Sequence, residues 1–406
     1  MEKCLICDSA VEQFMSFGRM PIANGFVTPD QFTDEYFFEL NVVFCPACSM
    51  VQLAEQPDRE KMFNETYAFF SSTSTRMAAH FRSFADLVMS DYLKSPDPFV
   101  VELGSNDGIM LRNFKQAGIR HLGIEPSANV AQVAMEQGIR SVCKFFDEEL
   151  AGEITAKDGR ADAILGANVM CHIPYLHSVV AGMRSLLKPD GVIIFEDPYL
   201  GDIVEKTSYD QIYDEHAFYF SLASISYLFK QHELEVVDVM PQHVHGGSMR
   251  YIISHTGARE VSSAVTALRL KEETLGLNRL ETFEKLGHNI KQSRDDLKAL
   301  LSALKKEGKR IVGYGATSKS TTVTNYCGLA TDLVEFISDT TPIKQGKYSP
   351  GAHIPIRPYQ EFKAQYPDYA LLFGWNHADE IMANEQAFKA AGGKWIVYVP
   401  RVQVLE

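Results

Sequence analysis

Residues 99–108 read FVVELGSNDG, an unbroken apolar run that ends in a glycine-bearing turn. Such a short run bounded by turn signals fits a strand buried on both faces. Gly104 and Gly108 allow a tight turn and close approach of a ligand to the backbone. Working outward, apolar runs at 121–124, 141–146, 161–165 and 191–195 alternate with helical stretches. That alternation predicts an α/β domain with a parallel, doubly wound sheet. Two further strands, 234–240 and 249–254, are joined through His243-Val244-His245-Gly246-Gly247, too short for a parallel crossover. They predict an antiparallel edge hairpin.

Glu125 stands 21 residues beyond Gly104, at the end of the second strand. A carboxylate there can accept hydrogen bonds from both hydroxyls of a ribose. Asn106 fills the middle position of the dinucleotide fingerprint GxGxxG, so the loop favours a nucleoside over a pyrophosphate. With the hairpin, this points to S-adenosylmethionine (SAM) in place of NAD, held by Glu102, Gly104, Asn106, Gly108 and Glu125.

At 406 residues the chain exceeds what one core usually supports, and three units are expected: 1–70, 71–257 and 258–406. With 46% hydrophobic and 22% charged residues, the chain is neither disordered nor fibrous. The net charge of −13 opposes nucleic acid and anionic membranes. The N-terminus MEKCLICDSA lacks the charged and apolar regions of a signal peptide, so a soluble cytoplasmic protein is expected.

Prolines at 21, 29, 46 and 57 punctuate the first unit, which should hold only short irregular elements and need a staple. Cys4-x-x-Cys7 and Cys45-x-x-Cys48 supply one: four thiolates close a tetrahedral zinc shell, which makes the metal structural. Cys143, Cys171 and Cys327 stand apart. A helical pattern covers 73–93, and 258–306 reads as polar helices that connect and pack domains.

Chemistry concentrates at the carboxyl ends of the strands, where open α/β sheets bind ligands. Asn168 and His172 follow the fourth strand, and Glu196-Asp197-Pro198-Tyr199 the fifth. Tyr209-x-x-x-Tyr213-Asp214-Glu215-His216-Ala217-Phe218-Tyr219-Phe220 then packs tyrosines, acids and a histidine into twelve residues. A histidine near its usual pKa of ~6.5 suits a general base, with Glu215 orienting it and a tyrosine donating to an oxyanion. The last unit restarts a strand–turn–helix pattern at Gly313-Tyr314-Gly315-Ala316-Thr317-Ser318-Lys319, with Asp339 after the next strand. A second dinucleotide site or a backbone nest with Lys319 for a nucleotide diphosphate are both readings of it. Lys347, Tyr348, Trp375 and Asn376 could add phosphate contacts and a stacking face.

In this order the features resemble the SAM-dependent C-methyltransferases of nucleotide-linked ketodeoxysugars. The family's zinc-binding region is similar to Cys4, Cys7, Cys45 and Cys48, and its cofactor loop to ELGSNDG at 102–108 with Glu125. Its Tyr-x-Glu-His motif falls on Tyr213, Glu215 and His216, its Asn-x-x-x-His on Asn168 and His172, and its carboxyl-terminal domain on 313–328 and 344–356. The resemblance implies a nucleotide-sugar substrate and His216 as the base; it does not identify the nucleotide, for which TDP is the expectation. One departure is Tyr67-Ala68-Phe69-Phe70-Ser71, where another active-site tyrosine is expected near Phe69 or Phe70. Sugar O-methylation, which needs no enolate, and an NAD-linked oxidoreductase using Gly313 and Gly315 are the alternatives. A nucleic-acid methyltransferase is opposed by the acidic charge.

Overall fold

The computed structural model describes residues 3–62 and 75–406, organised around three sheets. The first contains β1 (Glu12–Pro21), β2 (Phe37–Phe44) and β3 (Val51–Leu53), paired antiparallel. These strands correct the expectation of irregular elements. The prolines lie at strand ends or outside the strands. A register shift between Ser16 and Arg19 keeps Met15, Phe17 and Met20 buried on one face despite the interruption.

The second sheet is built from β4 (Phe99–Leu103), β5 (Arg120–Ile124), β6 (Ser141–Val142), β7 (Ala161–Ala167) and β8 (Leu187–Pro198), all parallel. The chain then leaves it: β9 (Phe218–Tyr219) pairs with β3 and so completes the first sheet. It returns through β10 (Leu234–Gln242) and β11 (Ser248–His255), giving the order β10-β11-β8-β7-β4-β5-β6. The predicted hairpin is present, with its return strand β11 inserted antiparallel between β8 and β10.

The third sheet has the order β14-β13-β12-β15-β16-β17. It contains β12 (Ile311–Tyr314), β13 (Ile337–Asp339), β14 (Ile356–Pro358), β15 (Tyr369–Leu372), β16 (Lys394–Val397) and β17 (Gln403–Leu405). Only β17 runs antiparallel to its neighbour. Two helices, Ser263–Leu275 and Leu280–Lys306, bridge the second and third sheets. The longer one buries Phe283, Leu286, Ile290, Leu297, Leu301 and Leu304 on one stripe, and Phe283 packs on Phe14 and Phe44 of the first sheet. Among the described residues no helix is long and apolar enough to cross a membrane.

The shorter helix contributes Glu272, whose buried carboxylate accepts from the backbone N–H groups of Leu222 (2.6 Å) and Ala223 (3.1 Å) and from the Tyr199 hydroxyl (3.0 Å). It thereby caps the helix Leu222–Lys230. Glu272→Ala would orphan three donors, two of them buried and one part-buried, each buried one costing about 1–3 kcal/mol. We expect a loss of about 3 kcal/mol or more, read as a lower denaturation midpoint, with Glu272→Gln recovering part of it.

Candidate active site

The turns after β4 and β7 meet at the topological switch point of the second sheet. Gly104 takes φ +62°, and a Cβ there would lie 2.7 Å from Val169, so only glycine allows the two loops to close up. Together they open a cavity of about 390 Å³ lined from all three sheet units, including Asn24, Gly104, Asn106, Glu125, Asn168, His172, His216, Lys319 and Asn376.

On its cofactor side, Glu125 accepts from the N–H groups of Asn106 (3.0 Å) and Ser127 (2.9 Å). Burial pushes its carboxyl above the usual range, while these two N–H groups pull it back. The carboxylate is thus oriented, with lone pairs left over for a ribose. Glu102 lies beneath the loop, outside the cavity wall, and burial, with Glu125 and Asp107 nearby, pushes its carboxyl well above the usual range. Gly108 is a packing position: a Cβ there would meet Ile139 at 2.9 Å.

The segment 209–216 forms the opposite wall. The Nδ1 of His216 faces the Gln211 carbonyl oxygen at 2.7 Å. A nitrogen facing a carbonyl must donate, so Nε2 carries the lone pair. Burial, aided by His172, lowers His216 well below its ordinary pKa, which revises the unperturbed value expected from sequence. The His172 ring stacks at 5.2 Å and is pushed by burial down to about 4. Tyr213 lies against His216 at 4.2 Å between ring centroids. The carboxylate of Glu215, expected to orient the imidazole, accepts instead from Asn24 Nδ2 at 2.6 Å. Asn168, at φ +52°, meets the Nε2 of His245 at 3.1 Å. His245 also lines the cavity, and burial lowers it to about 3. In the sequence His245 stands only as part of a hairpin loop, and its one signal is the adjacent Gly246-Gly247.

From the third sheet unit, Lys319 enters the cavity between the His245 carbonyl (3.3 Å) and Asn376 (3.4 Å). Burial depresses its pKa, with Asp210 opposing. Trp375 supports this arrangement from behind: its indole lies 5.2 Å from the Lys319 ammonium and donates to Asp210 at 2.6 Å. Gly315 is adjacent to the cavity wall that begins at Thr317.

Several expected substrate contacts lie elsewhere. Tyr199 and Tyr209 are core residues, 1% and 0% exposed, whose hydroxyls meet Glu272 and the Cys327 sulfur. Lys347 and Tyr348 lie away from the cavity, where Tyr348 exchanges backbone hydrogen bonds with Val27. Of the Glu196–Tyr199 rim, only Pro198 reaches the cavity; Glu196 is held by Arg250 and His80. The 67–71 stretch lies outside the described residues.

The four paired cysteines converge. Cys4 and Cys48 approach to 3.5 Å between sulfurs, Cys7 and Cys45 to 3.4 Å, and all four sulfurs lie within 4.8 Å of one another. A tetrahedron with zinc–sulfur bonds near 2.3 Å needs sulfur separations of about 3.8 Å, so the set fits the ion. At the other candidate cofactor loop, both oxygens of Asp339 already accept from Ala316 and Thr341 N–H groups, each at 2.7 Å. Each oxygen thus takes one backbone N–H, the same arrangement as at Glu125.

Family models agree with this architecture: a zinc binding domain matches residues 4–63, a methyltransferase domain 76–239, and a C-methyltransferase C-terminal domain 243–400. The protein is therefore a SAM-dependent methyltransferase of the class I fold with a structural zinc site. Over 409 aligned residues the chain is 34% identical to C-methyltransferase NovU from Streptomyces niveus, covering 100% of this chain and 97% of that one. It belongs to this C-methyltransferase family. A ubiquinone biosynthesis O-methyltransferase from Ralstonia nicotianae is 29% identical, over 26% of this chain and 47% of its own length. The crystal structure of magnesium protoporphyrin IX methyltransferase from Synechocystis PCC 6803 with bound SAM covers 44% of this chain and 79% of its own, at 14% identity and a TM-score of 0.34.

Two outcomes are expected. Elemental analysis should find one tightly held zinc per chain, lost together with stability in Cys45→Ser. Glu125→Gln should weaken SAM binding by about 10–100-fold in calorimetry, the worth of a hydrogen bond to a charged group, while keeping the fold.

Proposed function

We propose that the enzyme methylates the carbon alpha to the ketone of a nucleotide-linked ketodeoxysugar, through an enolate, with His216 as the base. The carrying observation is His216 itself. It is neutral, its tautomer is fixed by the Gln211 carbonyl, and it lies in a cavity wall between the cofactor loop and the third sheet unit. Bound SAM supplies an electrophilic methyl group. The chain's own residues do the rest: Nε2 of His216 takes the alpha proton, and Asn168, Tyr213 or His172 donates to the oxygen that gains charge. Burial strengthens each such donor, since the effective dielectric is low. Lys319 and Lys344 add two half-buried lysines to the cavity, suited to the diphosphate of the substrate. Gly104, Asn106 and Glu125 hold the cofactor, with Glu102 and Gly108 shaping the loop from behind.

A base must be unprotonated to act. Because burial lowers His216 well below 6.5, it stays neutral throughout neutral pH. The rate should therefore stay flat from pH 8 down to about pH 6, with no inflection near the ordinary histidine value of ~6.5. An inflection there in kcat would remove the buried base from the mechanism. His216→Ala should cut turnover about 10²–10⁴-fold with SAM affinity nearly unchanged. The methylated product should lack its original alpha hydrogen, as read by mass spectrometry on alpha-deuterated substrate. Retention of that deuterium with the methyl on oxygen would establish O-methylation instead.

A further inference from the structure

Beside the four-cysteine site, the described residues hold one more cluster of metal-binding side chains: Cys171, His172 and His216. One ligand atom from each lies within 4.8 Å of the others. Cys171 and His172 come from the short turn Met170–His172 after β7, and His216 comes from the 209–216 segment. The two imidazoles stack at 5.2 Å. The Gln211 carbonyl that accepts from His216 Nδ1 is the kind of backing group that fixes metal-bound histidines, and it leaves Nε2 as the donor atom. One thiolate and two imidazoles form a borderline donor set that matches Zn²⁺ and Co²⁺. His172 and His216 line the cavity, whereas Cys171 is 2% exposed behind them. An ion would enter from the cavity and keep its fourth position towards it.

We propose that Cys171, His172 and His216 form a second, weaker zinc site whose occupancy switches the enzyme off. On binding, the Cys171 S–H bond breaks, its proton leaves to solvent, and a sulfur–zinc bond forms. The ion also takes the Nε2 lone pair of His216, so no base remains. One thiolate, against four in the structural site, makes this site the weaker of the two, and Lys319 and Lys344 across the cavity weaken it further. The inhibition rests on His216 being the base; the binding does not.

Adding Co²⁺ to enzyme that already holds its single structural zinc tests the binding. A second metal equivalent with sulfur-to-cobalt charge-transfer absorption is expected in the wild type and in Cys143→Ala, whose exposed thiol is the control. It should be absent in Cys171→Ala and in the volume-conserving Cys171→Ser. Zn²⁺ beyond one equivalent should suppress turnover, and the concentration for half-inhibition should rise about 10–100-fold or more in both Cys171 variants. Both variants should keep their turnover in the absence of added metal. No second equivalent, or inhibition indifferent to Cys171, would overturn the site. A Cys171-dependent absorption band without inhibition would uphold the site and remove His216 from its role as base.

Discussion

The segment Tyr209–His216 carries Asp210, Asp214, Glu215 and His216 into the interior, and burying that many polar groups is unfavourable unless each finds a partner. The partners come from separate units. Trp375 and Tyr398 donate to Asp210, at 2.6 and 2.9 Å, and Thr322 donates to the Ile212 carbonyl, all from the third sheet unit. The first unit supplies the Ala23 N–H to Asp214 and the Asn24 amide to Glu215. The segment can therefore adopt this path only when all three units are docked on it. The zinc site gains a purpose from the same constraint. Its two cysteine pairs flank Asn24 in sequence, and it braces the sheet whose β1 leads directly into Ala23 and Asn24.

That burial also sets the protonation pattern of the site. Desolvation disfavours whichever form is charged, so His172, His216 and His245 are all held neutral. The same effect pushes Asp197, beside Cys171, up to about 8. Lys319 feels desolvation too, but Asp210 opposes it, and Asp210 is in turn held by Trp375 and Tyr398. The cavity thus sets neutral imidazoles on one wall and a cation on the other. A substrate bearing anionic groups at one end and a carbon acid at the other has complementary demands.

Much of this was legible in the sequence, for local reasons. The turn at 102–108 and the two C-x-x-C pairs declare themselves by short-range spacing, because the backbone geometry that each requires spans only a few residues, and Glu125 is marked by its place at the end of the next strand. Density of chemistry likewise marked 209–220. It did not sort that segment's residues, since successive side chains point in different directions: His216 and Tyr213 border the cavity, while Tyr209 turns into the core against Cys327. His245 was missed because its role depends on a contact with Asn168, 77 residues away. The first sheet was missed because a register shift breaks the strict alternation by which strands are read. Lys347 and Tyr348 were misplaced for a related reason, as loop chemistry suggests function wherever it occurs, and this loop is engaged with Val27.

The third sheet unit is tied to the cavity through the internal bonding of its glycine turn. It keeps the strand, glycine turn and helix, but Asp339 closes the turn by accepting from Ala316 and Thr341, and Lys344 donates to the Ala316 carbonyl at 2.8 Å. Thr317 caps its own helix, Ser318–Tyr326, through the Ser320 N–H. These internal hydrogen bonds rigidify the turn. What such a turn then offers outward, in the first turn of the helix, is Lys319, at a fixed position against the His245 carbonyl of the second sheet unit. A glycine at 246 allows this close docking, since a Cβ there would lie 2.5 Å from the Trp375 ring. The domain therefore contributes to the cavity through the seam it forms, and the seam exists because each unit leaves its neighbour a polar group to satisfy.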